Sequence, residues 1–137
     1  MLDTLHNENA GKLVLRLTVG ILILFHGISK ILHPESLAWI EQQLNSMGLP
    51  AFIAYGVYAG EVLAAVMVIL GIFTRAGGLL IAVNMIFALV LAHTDDIFRL
   101  GDHGQWAIEL QLFYLLGGIS ILLLGSGKYA LKPDQVP

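Results

Sequence analysis

The stretch LVLRLTVGILILFHGISKIL, residues 13–32, decides the fold class of this chain. It is a mostly apolar run of the length that an α-helix needs to cross about 30 Å of hydrocarbon. It nevertheless contains Arg16, His26 and Lys30. Ionisable groups at membrane depth are costly unless they are paired, so these three residues are the first candidates for a functional role.

Three further apolar runs have a similar length and cover residues 52–73, 76–93 and 106–124. The short alternating segments of a membrane β-barrel are absent from the sequence. The composition agrees with a membrane protein, because 57% of the residues are hydrophobic and only 12% are charged, whereas soluble domains have about 25% charged residues. We therefore predict an all-α, four-transmembrane-helix bundle that forms a single domain over residues 1–137.

The segment between the first two runs, residues 33–50, is patterned. Leu37, Ile40 and Leu44 recur at helical spacing, and Gly48 closes the pattern. We predict a short amphipathic surface helix between helices one and two, with Trp39 as an interfacial anchor. A helix that caps the bundle is a compatible interpretation.

The loops predict how the chain is oriented. We predict that Thr74 and Arg75 form a tight turn between helices two and three. Basic residues gather on the side of this turn, whereas Asp95, Asp96 and Asp102 surround Arg99 in a loop on the other side. By the positive-inside rule, this distribution predicts a multi-pass protein of the bacterial inner membrane with both termini cytoplasmic. The polar start, MLDTLHNENAGK, predicts no removable signal peptide.

Helical geometry groups the ionisable residues of the predicted spans. On the first helix, Arg16, His26 and Lys30 fall within a face of about 120°. Depth along the helices predicts one polar pocket in the outer half of the membrane, formed by the ionisable residues other than Arg16: His26, Lys30, Glu61, His93 and Glu109. We assign a catalytic role to Glu61, Glu109 and His26, and ligand binding to Lys30, Arg16, His93, Tyr58 and Phe113.

Several alternatives stay open at this stage. Lys30 either snorkels to the interface or pairs with Glu109, and Arg16 either pairs with Glu61, snorkels or lines a separate inner site. The histidines have ordinary structural interpretations: an interhelical hydrogen bond for His26 and a boundary position for His93. Asn84 is expected to form an interhelical hydrogen bond. Gln111 points away from the stripe that contains Glu109.

The residue types limit the chemistry. Without cysteine, there is no thiol relay and no iron–sulfur cluster. We predict no metal site, because no pair of ligands has a diagnostic spacing and Lys30 would repel a cation. A quinone is the cofactor that the predicted pocket suits, and electrons then come from a partner redox protein. The other expected partners are the lipid bilayer and a second copy of the chain, whereas nucleic acid is not expected.

Three stretches together resemble the DoxX family of small four-helix membrane proteins: RLTVGILILFHGISKIL, GEVLAAVMVILGIFTR, and the His93 end with its polar loop and WAIEL. The positions associated with this pattern are Arg16, Gly20, Gly27, Lys30, Glu61, Gly71, Thr74, Arg75 and Glu109. The resemblance implies the fold and the membrane location, and links the chain to redox contexts, including membrane subunits of thiosulfate:quinone oxidoreductases. The chain differs from the thiosulfate-oxidising type in lacking an appended periplasmic domain, so direct thiosulfate chemistry is not expected.

Three functions follow from these observations. The first is a redox-linked, quinone-binding membrane subunit, which makes the chain part of an oxidoreductase. The alternative is a non-enzymatic scaffold or assembly factor for a redox or biosynthetic complex. The third is a small-molecule carrier, against which the sequence shows no repeat and no broken helix.

Overall fold

The computed structural model describes residues 2–135, and helices are the main secondary structure in that range. It contains five principal helices, which we number in chain order: α1 (Glu8–Leu32), α2 (Pro34–Ser46), α3 (Ala51–Leu70), α4 (Thr74–Ala92) and α5 (Glu109–Leu124). The described residues form no β-strand, only an isolated bridge between Leu100 and Trp106. The predicted all-α class is confirmed.

Three helices are long and apolar enough to cross a membrane: α1, α3 and α4, with 25, 20 and 19 residues. The fourth apolar helix, α5, has 16 residues and is about 24 Å long at 1.5 Å per residue. It begins after the predicted start of the fourth run, because Trp106–Ile108 belong to the preceding turn. Length and composition thus identify three candidate spans, and α5 is shorter than the predicted fourth one.

The predicted turn at Thr74 and Arg75 is wrong, because both residues lie in the first turn of α4. The chain reverses at residues 71–73 instead. Gly71 ends α3 in the left-handed region with φ of 75°, and Phe73 has φ of 48°. Because the apolar run continues through Phe73, hydrophobicity alone did not mark the end of the helix.

The short helix α2 is present as predicted, and it packs over one end of the bundle. Pro34 occupies its first turn, where a missing backbone N–H costs no hydrogen bond. Its residue Leu44 is fully buried, and the helix contacts the start of α3 as well as α4. The capping interpretation therefore holds, while Trp39 on the same helix keeps 46% of its surface exposed.

Both ends of the described chain meet at the other end of the bundle, which we call the tail end. The last residues, 125–135, form an extended tail that crosses it. Leu131 and Lys132 donate backbone hydrogen bonds to the carbonyls of Leu70 and Gly71, at 3.0 Å each. The backbone N–H of Lys128 donates to Oδ1 of Asn9 at 2.9 Å. The tail thus ties the start of α1 to the end of α3.

Glycines allow a close contact between α4 and α5. A Cβ atom added to Gly78 would lie 2.6 Å from the carbonyl oxygen of Gly118, and one added to Gly118 would lie 2.7 Å from the carbonyl oxygen of Gly78. Small residues of this kind let helix backbones approach within membranes. Around this contact the core includes Val19, Ile23, Ala64, Ala65, Val68, Ile81, Met85, Tyr114 and Ile121.

Substituting Gly78→Ala is expected to destabilise the protein by about 1–3 kcal/mol, because the new methyl group meets backbone atoms that cannot rotate away. Thermal unfolding of the detergent-purified protein measures the effect. Gly11→Ala is the matched control, since no atom lies within 4 Å of its added Cβ. Alanine at position 11 of this helix should raise the free energy of unfolding by about 0.5–1 kcal/mol. Equal behaviour of the two variants would contradict the close contact.

Candidate functional site

A cavity of about 760 Å³ lies between α1, α2, α3 and α4, on the side where α2 packs. Its volume is in the range of small-molecule sites. The walls are mostly apolar and include Trp39 and Ile40 from α2, Ile53 and Val57 from α3, and Leu80, Val83, Phe87, Ala88 and Leu91 from α4. Polar groups enter at few points, namely Lys30, Glu35, Ser36, Glu61, Asn84 and His93. Helix α5 contributes no lining residue among those described.

Lys30, Glu61 and Asn84 form the polar wall of the cavity, and we call them the ion-pair cluster. Nζ of Lys30 donates to Oε2 of Glu61 at 2.7 Å, and Nδ2 of Asn84 donates to Oε1 of the same carboxylate at 3.1 Å. Each carboxylate oxygen therefore has its own donor. Glu61 is only 4% exposed, so the cluster joins α1, α3 and α4 through one buried carboxylate. The interhelical hydrogen bond predicted for Asn84 is confirmed.

A local change of helix type places Glu61. Residues Ala59–Leu63 form one π-helical turn in the middle of α3, and such turns are often found at functional sites. Two glycines allow close packing around it, Gly27 on α1 and Gly60 within the π-helical turn itself. A Cβ added to Gly27 would lie 2.7 Å from the carbonyl oxygen of Glu61, and one added to Gly60 would overlap the side chain of Asn84. The two glycines thus let α1 and α4 approach α3 closely enough to reach the carboxylate.

His93 lines the cavity at the end of α4 and has a partner on each ring nitrogen. Nδ1 lies 3.1 Å from Oδ2 of Asp96, and Nε2 lies 3.1 Å from Nε2 of Gln111. A carboxylate can only accept, so Nδ1 donates to Asp96, and with the Gln111 amide placed as it is, Nε2 accepts from that amide. His93 thus connects the cavity to α5 and to the loop that follows α4.

The predicted orientation of α5 is wrong, because Gln111 faces the bundle and Glu109 is exposed. Glu109 is the first residue of the helix rather than a residue one turn inside it. It therefore lies at the end of the bundle and does not pair with Lys30, which binds Glu61 instead.

Arg16 neither pairs with Glu61 nor snorkels. It is 1% exposed and donates four hydrogen bonds to backbone carbonyls. Nε binds Val68 at 2.9 Å and Nη2 binds Ile69 at 3.2 Å, while Nη1 binds Ser126 at 2.8 Å and Tyr129 at 2.7 Å. The guanidinium thereby joins the end of α3 to the tail, far from the cavity.

The remaining predicted site residues also lie outside the cavity lining. His26 is exposed and meets Tyr114 edge to face, with ring centroids 5.6 Å apart. Tyr58 contacts Tyr55, and Phe113 is 71% exposed. Of the eight predicted residues, the cavity brings together Lys30, Glu61 and His93.

Sequence reasoning missed the contribution of α2 to this cavity. Trp39 was assigned only to the membrane interface, and Glu35 received no role, yet both line the cavity. The interpretation of α2 as a helix that caps the bundle could have indicated this contribution, because such a helix covers any cavity that opens at that end of the bundle.

Comparison with known proteins identifies the family. The family model described as DoxX matches residues 11–94 of this chain. The chain belongs to the DoxX family. The match confirms the resemblance seen in the sequence, and it includes every lining residue of the cavity, from Lys30 to His93.

Three relatives extend the DoxX comparison over most of the chain. A Bacillus subtilis (strain 168) protein named "Putative oxidoreductase CatD" is 35% identical over 123 residues, which cover 90% of this chain and 85% of the relative. The Mycobacterium tuberculosis protein named "Uncharacterized membrane protein Rv3486" is 30% identical over 137 residues, 93% of this chain and 83% of the relative. An uncharacterized Haemophilus influenzae protein is 29% identical, over 85% of this chain and 84% of the relative. No solved structure matches this DoxX protein.

Proposed function

We propose that this DoxX-family protein is a redox-linked membrane subunit that binds a quinone-type ring in the cavity between α1, α2, α3 and α4. The observation that carries the proposal is the ion-pair cluster in the wall of an otherwise apolar cavity of about 760 Å³. The Bacillus subtilis relative, which is named an oxidoreductase, supports the redox assignment.

The chemistry of a quinone fits these groups. A quinone presents a flat apolar ring and two carbonyl oxygens, which need hydrogen-bond donors. The ammonium of Lys30 has three N–H groups and gives one to Glu61, so two remain for a ligand. Trp39 and Phe87 supply aromatic walls for the ring. In this proposal, Glu61 exchanges protons with the reduced ring, and a partner protein supplies the electrons.

The position of the cavity suits a ligand that arrives through lipid. Val83 and Phe87, on the α4 wall, are 41% and 42% exposed. Both lie within a candidate membrane span, so their exposed surface faces hydrocarbon when α4 crosses the bilayer. In this proposal, a hydrophobic ring compound dissolved in the membrane enters the cavity past these two residues.

We propose the following membrane arrangement. The helix α5 crosses as a short fourth span beside α4, against which it packs through Gly78 and Gly118. The tail end, which carries Lys12, Arg75, Lys128 and Lys132, faces the cytoplasm of a bacterial inner membrane, in agreement with the positive-inside rule.

The protein carries its own reporter for ligand binding. The chain has two tryptophans, and Trp39 lines the cavity whereas Trp106 does not. In a Trp106→Phe variant in detergent or nanodiscs, menadione should quench the Trp39 fluorescence saturably, because quinones quench indoles at contact. We expect a dissociation constant in the micromolar range, about 8 kcal/mol of binding free energy.

The matched control is Trp39→Phe, which retains Trp106. Its quenching should rise linearly with menadione concentration, as collisions in the detergent produce. Linear, unsaturable quenching in both variants would refute the ligand site.

A scaffold is the second candidate function, and one observation favours it. Both oxygens of the Glu61 carboxylate already have donors inside the protein, as expected of a pair that serves only the fold. A saturable Trp39 response separates the two functions, because a scaffold needs no cavity ligand. A carrier has less support, since Arg16 and the tail fill the tail end of the bundle.

A further inference from the structure

We propose that the cavity selects electrically neutral ring compounds and discriminates against anionic ones, and that Glu61 sets this selectivity. This inference rests on the proposed function, because it specifies the charge of the ligand that the same cavity accepts.

The charges that line the cavity support a neutral ligand. Among the described residues that line the cavity, Lys30 is the one lysine or arginine, and its ammonium is 2.7 Å from the carboxylate of Glu61. The pair therefore presents no net charge. The other charged lining residue is Glu35 in the first turn of α2, and it adds a negative charge where the cavity meets the surface. His93 offers no unpaired cation, because its Nδ1 lies 3.1 Å from the carboxylate of Asp96, which would offset a charge on the ring.

An anionic ligand thus finds no unpaired cation. It could bind Lys30 only by competing with Glu61, which would leave a buried carboxylate without its cation. Removing the partner of a buried charge is strongly unfavourable. A neutral carbonyl, in contrast, accepts one of the free N–H groups of Lys30 while the ion pair stays intact.

The same reasoning predicts how the preference can be reversed. Glu61→Gln keeps the shape of the side chain but removes its charge, so Lys30 becomes an unpaired ammonium in an apolar cavity. Electrostatic attraction is strong in such surroundings, because water does not screen it. The variant should therefore prefer an anion.

The test uses two naphthoquinones of similar size in the Trp106→Phe background: menadione, which is neutral, and 1,4-naphthoquinone-2-sulfonate, which is anionic. We expect the parent to bind menadione at least tenfold more tightly than the sulfonate. Glu61→Gln should shift the ratio of the two dissociation constants toward the sulfonate by at least tenfold, or about 1.4 kcal/mol.

Two further variants serve as controls. Lys30→Met combined with Glu61→Gln leaves the cluster neutral, so the preference for menadione should persist although both compounds bind more weakly. Glu35→Lys changes the charge at an exposed position without touching the cluster, and should shift the ratio in the same direction as Glu61→Gln but by a smaller factor, because solvent screens it.

The outcomes separate this inference from the function on which it rests. If both naphthoquinones bind and the ratio is unchanged in Glu61→Gln and in Glu35→Lys, charge selection is refuted while the ligand site stands. If Glu61→Gln does not fold, the parent decides, because equal affinity for menadione and the sulfonate in the parent refutes charge selection. If neither compound gives a saturable response in the parent or in any folded variant, the proposed ligand site fails, and the inference fails with it.

Discussion

Replacing Arg16 with alanine is expected to detach the tail and to lower the free energy of unfolding by about 4 kcal/mol. Hydrogen bonds from a charged donor contribute about 1.5–3 kcal/mol each, and the four from Arg16 share one guanidinium, so their sum is not additive. Two of the carbonyls that Arg16 binds, those of Val68 and Ile69, belong to the last turn of α3. Such carbonyls have no partner inside the helix.

The expected result is measurable in two independent ways. Thermal unfolding in detergent should move down by about 10 °C for a loss of this size. Trypsin should cut the folded variant after Lys128 faster than it cuts the parent, because the backbone N–H of Lys128 is hydrogen-bonded to Asn9 in the intact structure.

Two variants make the result specific. Arg16→Lys keeps the positive charge but loses the planar arrangement of five donors, so it should recover only part of the stability. Arg99→Ala removes a largely exposed guanidinium, which lies 4.0 Å from Asp96, and should change stability by less than about 0.5 kcal/mol. If Arg16→Ala unfolds at the temperature of the parent and keeps its tail protected, the assigned role of Arg16 is wrong.

The class of fold was predictable because it follows from summed hydrophobicity. The three long runs became α1, α3 and α4, and the pattern of Leu37, Ile40 and Leu44 became α2. Helix ends were harder to predict, since Gly71 and Phe73 turn the chain inside an uninterrupted apolar run. Hydrophobicity does not reveal such a turn, because the side chains that face lipid and those that face the protein core are both apolar.

The site was predictable only in part, for a related reason. Face and depth arguments brought Lys30, Glu61 and His93 to the same side, where they line one cavity. The same arguments failed for Glu109, because helical spacing groups residues on one face without showing which face is buried, and the face that packs is the one with Gln111. They offered Glu61 as a partner for Arg16, whereas its acceptors are backbone carbonyls, which any sequence supplies.

Breaking the ion-pair cluster on one side only is the second large effect that we expect. Lys30→Met should destabilise the protein by about 3–5 kcal/mol, since it leaves the carboxylate of Glu61 buried without its cation. Adding Glu61→Gln to Lys30→Met should restore most of that loss, because the Gln amide is neutral and still accepts the hydrogen bond from Asn84. The double variant should thus be more stable than the single one.

The recovery of stability in the double variant separates the structural role of the cluster from its proposed role in binding. A double-mutant cycle measured by thermal unfolding gives the coupling free energy between Lys30 and Glu61. We expect a coupling of about 2 kcal/mol or more, together with weakened quenching of Trp39 by menadione in the stable double variant. A scaffold predicts the same coupling but no saturable ligand response in the parent. Additive effects of the two substitutions would show that Lys30 and Glu61 do not act as a pair, and both proposals for the cavity depend on that pair.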